Sequence, residues 1–77
     1  MAACVNVVVG VTSLYRWEGR IEEASEVLLI IKTTTDRLDV LTAAVSEAHP
    51  YSVPELIALP VIAGHSPYLS WLTGAVS

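Results

Sequence analysis

Two long apolar stretches separated by a polar segment constrain this chain more than any other feature. Ala3–Tyr15 and Glu26–Thr33 are rich in valine, leucine and isoleucine, and Gly19 lies between them at a position suited to a turn. They predict a β-hairpin. The second stretch is apolar on both faces, and such a strand is normally covered on both sides. Because 77 residues supply little else to cover it, we expect other copies of the chain to bury part of the hairpin.

The valine run of the first predicted strand indicates both a face and an irregularity. Residues of a strand point alternately to opposite faces, so Val5, Val7, Val9 and Val11 are expected to share one side. Gly10 interrupts this run, and a glycine inside a strand is typical of a bulge or of a close backbone approach. We therefore expect a bulge at Gly10.

The composition supports association and excludes several classes of partner. Hydrophobic residues make up 53% of the chain and charged residues 16%, with a mean hydropathy of +0.58. This is too apolar for a small monomer to bury comfortably, and it favours an oligomer. The net charge is −4, and the basic residues Arg16, Arg20, Lys32 and Arg37 are scattered. We therefore expect no nucleic-acid binding, because phosphate neutralisation needs a basic patch.

Cysteine content and apolar run lengths bear on the compartment. Cys4 is the only cysteine in the sequence, which rules out an internal disulfide and favours a reducing compartment. The longest apolar runs are about five residues, far short of the roughly 20 that span a bilayer, and no signal peptide is visible. The expected location is cytoplasmic, without membrane insertion.

A helix is predicted after the hairpin. Thr35 is the expected N-cap, and apolar residues recur at steps of three and four between Leu38 and Ala48. The helix must end near His49, because Pro50 disfavours helical geometry in the residue before it.

The C-terminal third is predicted to add one strand and one helix. Leu56–Val61 is apolar, and Pro60 within it indicates an edge or a bulge. Ser66 and Pro67 have the residue types typical of an N-cap and a first helical position. The predicted order is therefore strand, strand, helix, strand, helix, in the α/β (α+β) class.

Several specific motifs occur in order along essentially the whole chain: AACVN at Ala2–Asn6, GVTSLYRWEGRIEE at Gly10–Glu23, EVLLIIKT at Glu26–Thr33, HPYSVPELIALPV at His49–Val61 and YLSWL at Tyr68–Leu72. With these motifs the chain resembles the CutA family of divalent-ion tolerance proteins. The resemblance implies a ferredoxin-like sandwich, a PII-like homotrimer built on long β-ribbons, and a function in copper and divalent-cation tolerance.

The chain departs from the family pattern at its start. Family members normally carry a further strand and helix before AACVN, and the resemblance places that strand in the centre of the sheet. Glu26–Thr33 and Leu56–Val61 would then flank a gap. We expect residues 1–77 to form a single CutA-like domain that is incomplete at its N-terminus. A shortened chain, a rearranged sheet and a partner strand in the gap are the alternatives.

Three residues are candidate ligands for copper or another divalent cation. Cys4 offers a thiolate, a soft ligand for Cu(I), although a lone cysteine in a strand also serves as a small buried hydrophobe. The resemblance implies that His49 and Glu55 lie near an inter-subunit cleft, where an imidazole and a carboxylate can bind a metal ion. The alternative is that His49 caps the preceding helix and Glu55 pairs with Lys32 or Arg16.

The same cleft offers a second functional hypothesis. The resemblance places Trp17, Lys32 and Tyr51 there, and a cation beside aromatic rings suits a small anionic metabolite or a protein partner. A PII-like regulatory module is therefore the alternative to metal binding, and a rigid structural trimer is a third possibility.

The large aromatic residues are candidate interface anchors, since such residues are enriched where subunits meet. They are Tyr15, Trp17 and Trp71. The sequence contains no nucleophile elbow, phosphate loop, paired cysteine motif or zinc-protease motif, so we expect a binding protein and not an enzyme.

Overall fold

A long β-hairpin dominates the structure, a computed structural model that describes residues 1–76. Strand β1 spans Cys4–Trp17, strand β2 spans Arg20–Lys32, and the two form an antiparallel two-stranded sheet. The predicted hairpin is confirmed, but both strands extend further towards the tip than predicted. The polar residues after Arg20 belong to β2, because ladder hydrogen bonds need only the backbone and an exposed strand face accepts polar side chains.

A two-residue loop closes the hairpin. Glu18 and Gly19 have φ values of 49° and 76°, and Trp17 pairs with Arg20 across them. Positive φ at both central residues is the requirement of a type I′ turn, whose twist matches that of the flanking strands. Gly19 meets this requirement without strain, whereas Glu18 carries a side chain in the left-handed region.

The expected bulge is present at Gly10, which has a φ of 76°. The strand register shifts between Val8, which pairs with Leu28, and Val11, which pairs with Glu26. Three steps along β1 therefore oppose two steps along β2, and Val11 lies on the face of Val8. The prediction that Val11 shares a face with the earlier odd-numbered valines is wrong, because the extra residue reverses the alternation.

The helices follow the predicted order with one correction at the first N-terminus. Helix α1 spans Leu38–Ala48 and is preceded by a 3-10 turn at Thr35–Arg37. Thr34, not Thr35, is the N-cap of that turn, and it makes no side-chain capping bond. His49 ends α1 in an extended conformation, as Pro50 predicts. Helix α2 spans Ser66–Val76.

The predicted strand at Leu56–Val61 is wrong. The segment is without regular secondary structure, since within residues 1–76 no neighbouring strand pairs with its backbone. The observed order is strand, strand, helix, helix, and the α+β class is confirmed.

Most of the apolar surface of this subunit is uncovered. Among the described residues Val76 alone is buried, with 3% of its surface exposed. The accessible surface is 6406 Å², against about 4600 Å² for a folded monomer of 8.3 kDa. The radius of gyration is 15.0 Å, against about 11.5 Å for a compact chain of this length. The fold is therefore open, and its hydrophobic side chains become buried only by contact with further polypeptide.

Candidate functional site

An open groove of about 1870 Å³ runs along β2. One wall is formed by consecutive residues from Glu26 to Thr35, and the opposite wall by the segment Leu56–Val61. Side chains of both faces of β2 line the groove, so the groove meets the edge of the strand as well as its faces. The two segments that the sequence placed on either side of a gap do border this opening.

His49 is fixed by the loop that follows α1. Its backbone N–H donates to the Val45 carbonyl at 2.9 Å, and its side-chain Nδ1 accepts from the Tyr51 backbone N–H at 3.1 Å. The rings of His49 and Tyr51 lie 4.9 Å apart at 59°. The backbone of His49, not its side chain, closes the helix end. In a neutral imidazole an accepting Nδ1 leaves the proton on Nε2, which makes this ring a donor towards its surroundings.

Cys4 and Lys32 are partners across the open end of the hairpin. They pair in the antiparallel register, so their side chains share a face, and both are half-buried. The Cys4 thiol is free. The Lys32 ammonium lies 5.8 Å from the centroid of the Tyr68 ring, within the range of a cation–π contact. Sequence reasoning did not place Tyr68 in the ligand cleft, although Tyr68 belongs to the Tyr68–Leu72 motif.

Within residues 1–76, Glu55 does not form the ion pair with Lys32 or Arg16 that the sequence suggested as an alternative. The ion pairs within residues 1–76 are Arg20–Glu22 at 3.8 Å and Arg37–Asp36 at 3.9 Å. Glu55 is exposed and lines the groove. The alternative that Glu55 pairs with Lys32 or Arg16 is therefore not observed in the subunit.

Trp17 and Lys32 lie at opposite ends of the hairpin. Trp17 pairs with Arg20 at the tip, and Lys32 lies twelve residue steps along β2 from Arg20. At about 3.3 Å per residue this distance is roughly 40 Å, and the longest dimension of the subunit is 45 Å. One subunit cannot place both residues around one small ligand, so a cleft that contains both needs two subunits.

The predicted interface aromatics are all exposed. Trp17 has 56% of its surface accessible, and Tyr15 and Trp71 are comparably open. Trp71 contacts Tyr68 with ring centroids 5.7 Å apart. Large exposed aromatic rings of this kind suit an interface, and their role stays a prediction.

The candidate metal ligands are not assembled within the subunit. Across residues 1–76 no group of three or more histidine, cysteine, aspartate or glutamate side chains could hold a metal ion. Cys4 lies in β1, whereas His49 and Glu55 flank the loop after α1. A site that uses all three needs donors from more than one subunit.

Hydropathy places one limit on the helices. In the described part of the chain, neither α1 nor α2 is long and apolar enough to cross a bilayer.

The fold itself defines a class, that of PII-like α+β subunits built on a long hairpin. The solved structure of the divalent cation tolerance protein Cut A1 from Thermus thermophilus superposes with a TM-score of 0.95 at 49% identity, covering 99% of this chain and 74% of that one. The PII-like protein CutA from Nostoc sp. PCC 7120 gives a TM-score of 0.91 at 32% identity over 99% of this chain and 74% of that chain.

The family follows from the sequence comparisons. The family model of CutA1 divalent ion tolerance proteins matches residues 1–75. The T. thermophilus divalent-cation tolerance protein CutA is 51% identical over 72 residues, which are 94% of this chain and 70% of that protein. Protein CutA of Bos taurus is 56% identical over 70 residues, 91% of this chain but 40% of that protein. The chain belongs to the CutA1 divalent ion tolerance family.

Proposed function

We propose that this chain acts as a homotrimer that binds copper or another divalent cation at sites shared between subunits. The family supports the link to divalent ions. The observation that carries the shared site is the dispersal of the candidate ligands, which do not cluster within residues 1–76. The uncovered apolar surface supports association, because 22 large hydrophobic side chains are exposed and a monomer seldom leaves so many open.

The candidate ligands have the chemistry that copper prefers. Cys4 offers a thiolate for Cu(I), and His49 and Glu55 offer an imidazole and a carboxylate that also suit Cu(II). Coordination by either nitrogen of His49 breaks the bond from the Tyr51 N–H, because Nδ1 then carries either the metal or the ring proton. Losing one hydrogen bond costs about 1 kcal/mol, which lowers the metal affinity about fivefold.

A copper titration of the wild type and two ligand variants tests this proposal. Cys4→Ser and His49→Ala are each expected to lower copper affinity at least tenfold while light scattering shows an unchanged assembly. His65→Ala is the matched control, because His65 is exposed at the start of α2 and outside the proposed ligand set. Equal affinity in all four proteins, measured by calorimetry, would remove the copper site.

The PII-like alternative is an anionic ligand held in an inter-subunit cleft. It is favoured by two donors, the Nε2–H of His49 and the ammonium of Lys32, which has no carboxylate within 4 Å among residues 1–76. Tyr51 and the Trp17 of a neighbouring subunit would complete the cleft. Adenosine monophosphate is a suitable probe, with ribose phosphate as the ligand without an aromatic ring. Loss of binding in Lys32→Ala with copper affinity retained would favour this alternative over metal binding.

The rest of the proposal concerns the whole chain. Residues 1–77 act as one CutA-like domain, in the cytoplasm, and the domain binds its ligand without catalysing a reaction on it.

A further inference from the structure

Within residues 1–76, the ammonium of Lys32 lies against an aromatic ring and pairs with no carboxylate. Its nitrogen is 5.8 Å from the centroid of the Tyr68 ring, within the range of about 6 Å for a cation–π contact. The ion pairs of this part of the chain are formed by other residues. A carboxylate would offset the charge of the ammonium, whereas an aromatic ring attracts a cation without a net charge of its own. Lys32 therefore keeps its positive charge for an incoming anion.

The backbone fixes both partners of this contact. Lys32 is the last residue of β2, and its carbonyl accepts a hydrogen bond from the Ala3 N–H at 2.8 Å. Tyr68 lies in the first turn of α2, and the ring of Trp71, about one helical turn later, is 5.7 Å from the Tyr68 ring at an angle of 39°. Trp71 therefore limits the orientations of the ring that the ammonium faces.

This contact bears on the cost of binding a ligand. Lysine is among the side chains that lose most rotamer freedom when they are fixed in one position. A binding group that is restricted before the ligand arrives loses less freedom on binding, and the complex is more stable by that difference. The Tyr68 ring restricts the Lys32 ammonium in this way and leaves its charge available.

We propose that Tyr68 is a positioning residue that directs the Lys32 ammonium towards the anionic group of a ligand. The inference rests on the anionic-ligand function proposed above and adds to it a residue outside the predicted ligand cleft. The ring face makes the contact and the hydroxyl does not, so phenylalanine should replace tyrosine at this position. The recognised group is an anion such as a phosphate, and the rest of the ligand does not contact Tyr68.

An NMR measurement on the protein without ligand tests the contact itself. An aromatic ring shifts the resonances of protons above its face upfield. The Cε protons of Lys32 are therefore expected upfield in the wild type and in Tyr68→Phe, relative to Tyr68→Leu. Equal shifts in the three proteins would show that the ring does not hold the ammonium, and would overturn the proposal whatever the ligand.

Calorimetry with adenosine monophosphate and ribose phosphate tests the consequence for binding. A cation–π contact at an exposed site changes an equilibrium by a few-fold, so Tyr68→Leu is expected to bind both probes about three- to fivefold more weakly. Tyr68→Phe is the matched control, and its affinity is expected to stay within twofold of wild type. Light scattering should show the same assembly in all three proteins.

The outcomes separate this inference from the function on which it rests. Equal losses in Tyr68→Leu and Tyr68→Phe would assign the effect to the hydroxyl, and a loss for adenosine monophosphate alone would mean that Tyr68 stacks on the base. Either result, or unchanged affinity in Tyr68→Leu, would overturn the positioning role while the wild type still binds the anion. Absence of binding of both probes to the wild type would instead overturn the anionic-ligand function, and this inference with it.

Discussion

The two edges of the hairpin expose apolar surface in different settings. On the β1 side, Val5, Val7, Val8 and Val9 are uncovered and lie outside the groove. On the β2 side, Leu28, Leu29 and Ile30 are also uncovered, but they border a groove framed by α1, the segment Leu56–Val61 and α2. Composition does not distinguish the two edges, because both strands are equally rich in aliphatic residues. The difference arises from topology, since α1, Leu56–Val61 and α2 border the groove together with β2 and the tip half of β1, and not with the valines at the start of β1.

This difference bears on where another copy of the chain can associate. The β1 side offers a continuous apolar strip outside the groove, and such a strip suits another copy of the chain. The β2 side is already framed by segments of its own subunit. Variants of the β1 strip should therefore have the larger effect on the assembly.

The largest expected effect is on the assembly. Val7 is 61% exposed on the β1 side, and Val7→Asp would place an unpaired charge in the proposed subunit interface. Burying such a charge costs on the order of 3 kcal/mol per subunit, so association should weaken more than a hundredfold. Light scattering across a dilution series should show monomers at concentrations at which the wild type is expected to form the proposed trimer.

The control for this variant lies on the same strand. Thr12→Asp introduces the same charge opposite Ser25, on an exposed polar part of the hairpin. It should leave the assembly intact. A trimer that persists in Val7→Asp would place the interface elsewhere and end the distinction between the edges. A monomer that keeps full copper affinity would contradict the shared metal site.

The second effect concerns the bulge that shapes the β1 side. Gly10 has a φ of 76° and no heavy atom within 4 Å of an added Cβ, so Gly10→Ala costs only the left-handed backbone, about 1–2 kcal/mol. Gly19 has the same φ and the same free space at the tip. In the Val7→Asp background, where association is removed, denaturant unfolding should show equal losses for Gly10→Ala and Gly19→Ala.

The two glycine variants should differ in the assembly. The bulge at Gly10 determines which face carries Val11, next to the apolar strip, whereas Gly19 lies at the far end of the strands. Gly10→Ala should therefore weaken association, and Gly19→Ala should not. Equal weakening in both variants, measured by sedimentation at one protein concentration, would show that the tip also contributes to the interface.

The sequence predicted the hairpin because its signal is local. Alternating apolar residues, Gly10 within the valine run and Gly19 at the turn specify two strands and a bulge without reference to the rest of the fold. The end of α1 at His49 is equally local, since Pro50 enforces it. The prediction of a strand at Leu56–Val61 was wrong because a strand exists only with a hydrogen-bonded neighbour, and an apolar pattern does not supply one.

The candidate site was less predictable for the same reason. The residue types Cys4, His49 and Glu55 are visible in the sequence, but their distribution over distant elements depends on the path of the chain. The bond from the Tyr51 N–H to the His49 ring is also a consequence of loop geometry. Only the packing of α2 against the open end of the hairpin brings Tyr68 to Lys32.

The smallest effect concerns a residue outside both apolar edges. Asp36 is exposed in the 3-10 turn before α1, and a hydrogen bond from the Thr34 side chain lowers the pKa of its carboxyl below the ordinary value of 3.8. Arg37, 3.9 Å away, acts in the same direction. Because this pKa is lower in the folded than in the unfolded state, the interaction stabilises the fold in full at pH values above the unfolded-state pKa. This contribution is lost as the pH falls through the folded-state pKa.

Thr34→Val should therefore raise the pKa of Asp36 towards 3.8 and reduce the loss of stability below that pH. An NMR titration of the Asp36 carboxyl carbon measures the shift, and Thr35→Val is the control because Thr35 is not among the groups that lower this pKa. The shift should be the same in the assembled wild type and in Val7→Asp, because the contacts that cause it lie within one turn of one subunit. A pKa that changes when the assembly dissociates would place Asp36 at the subunit interface, and the β1 strip would then not be its only contact surface.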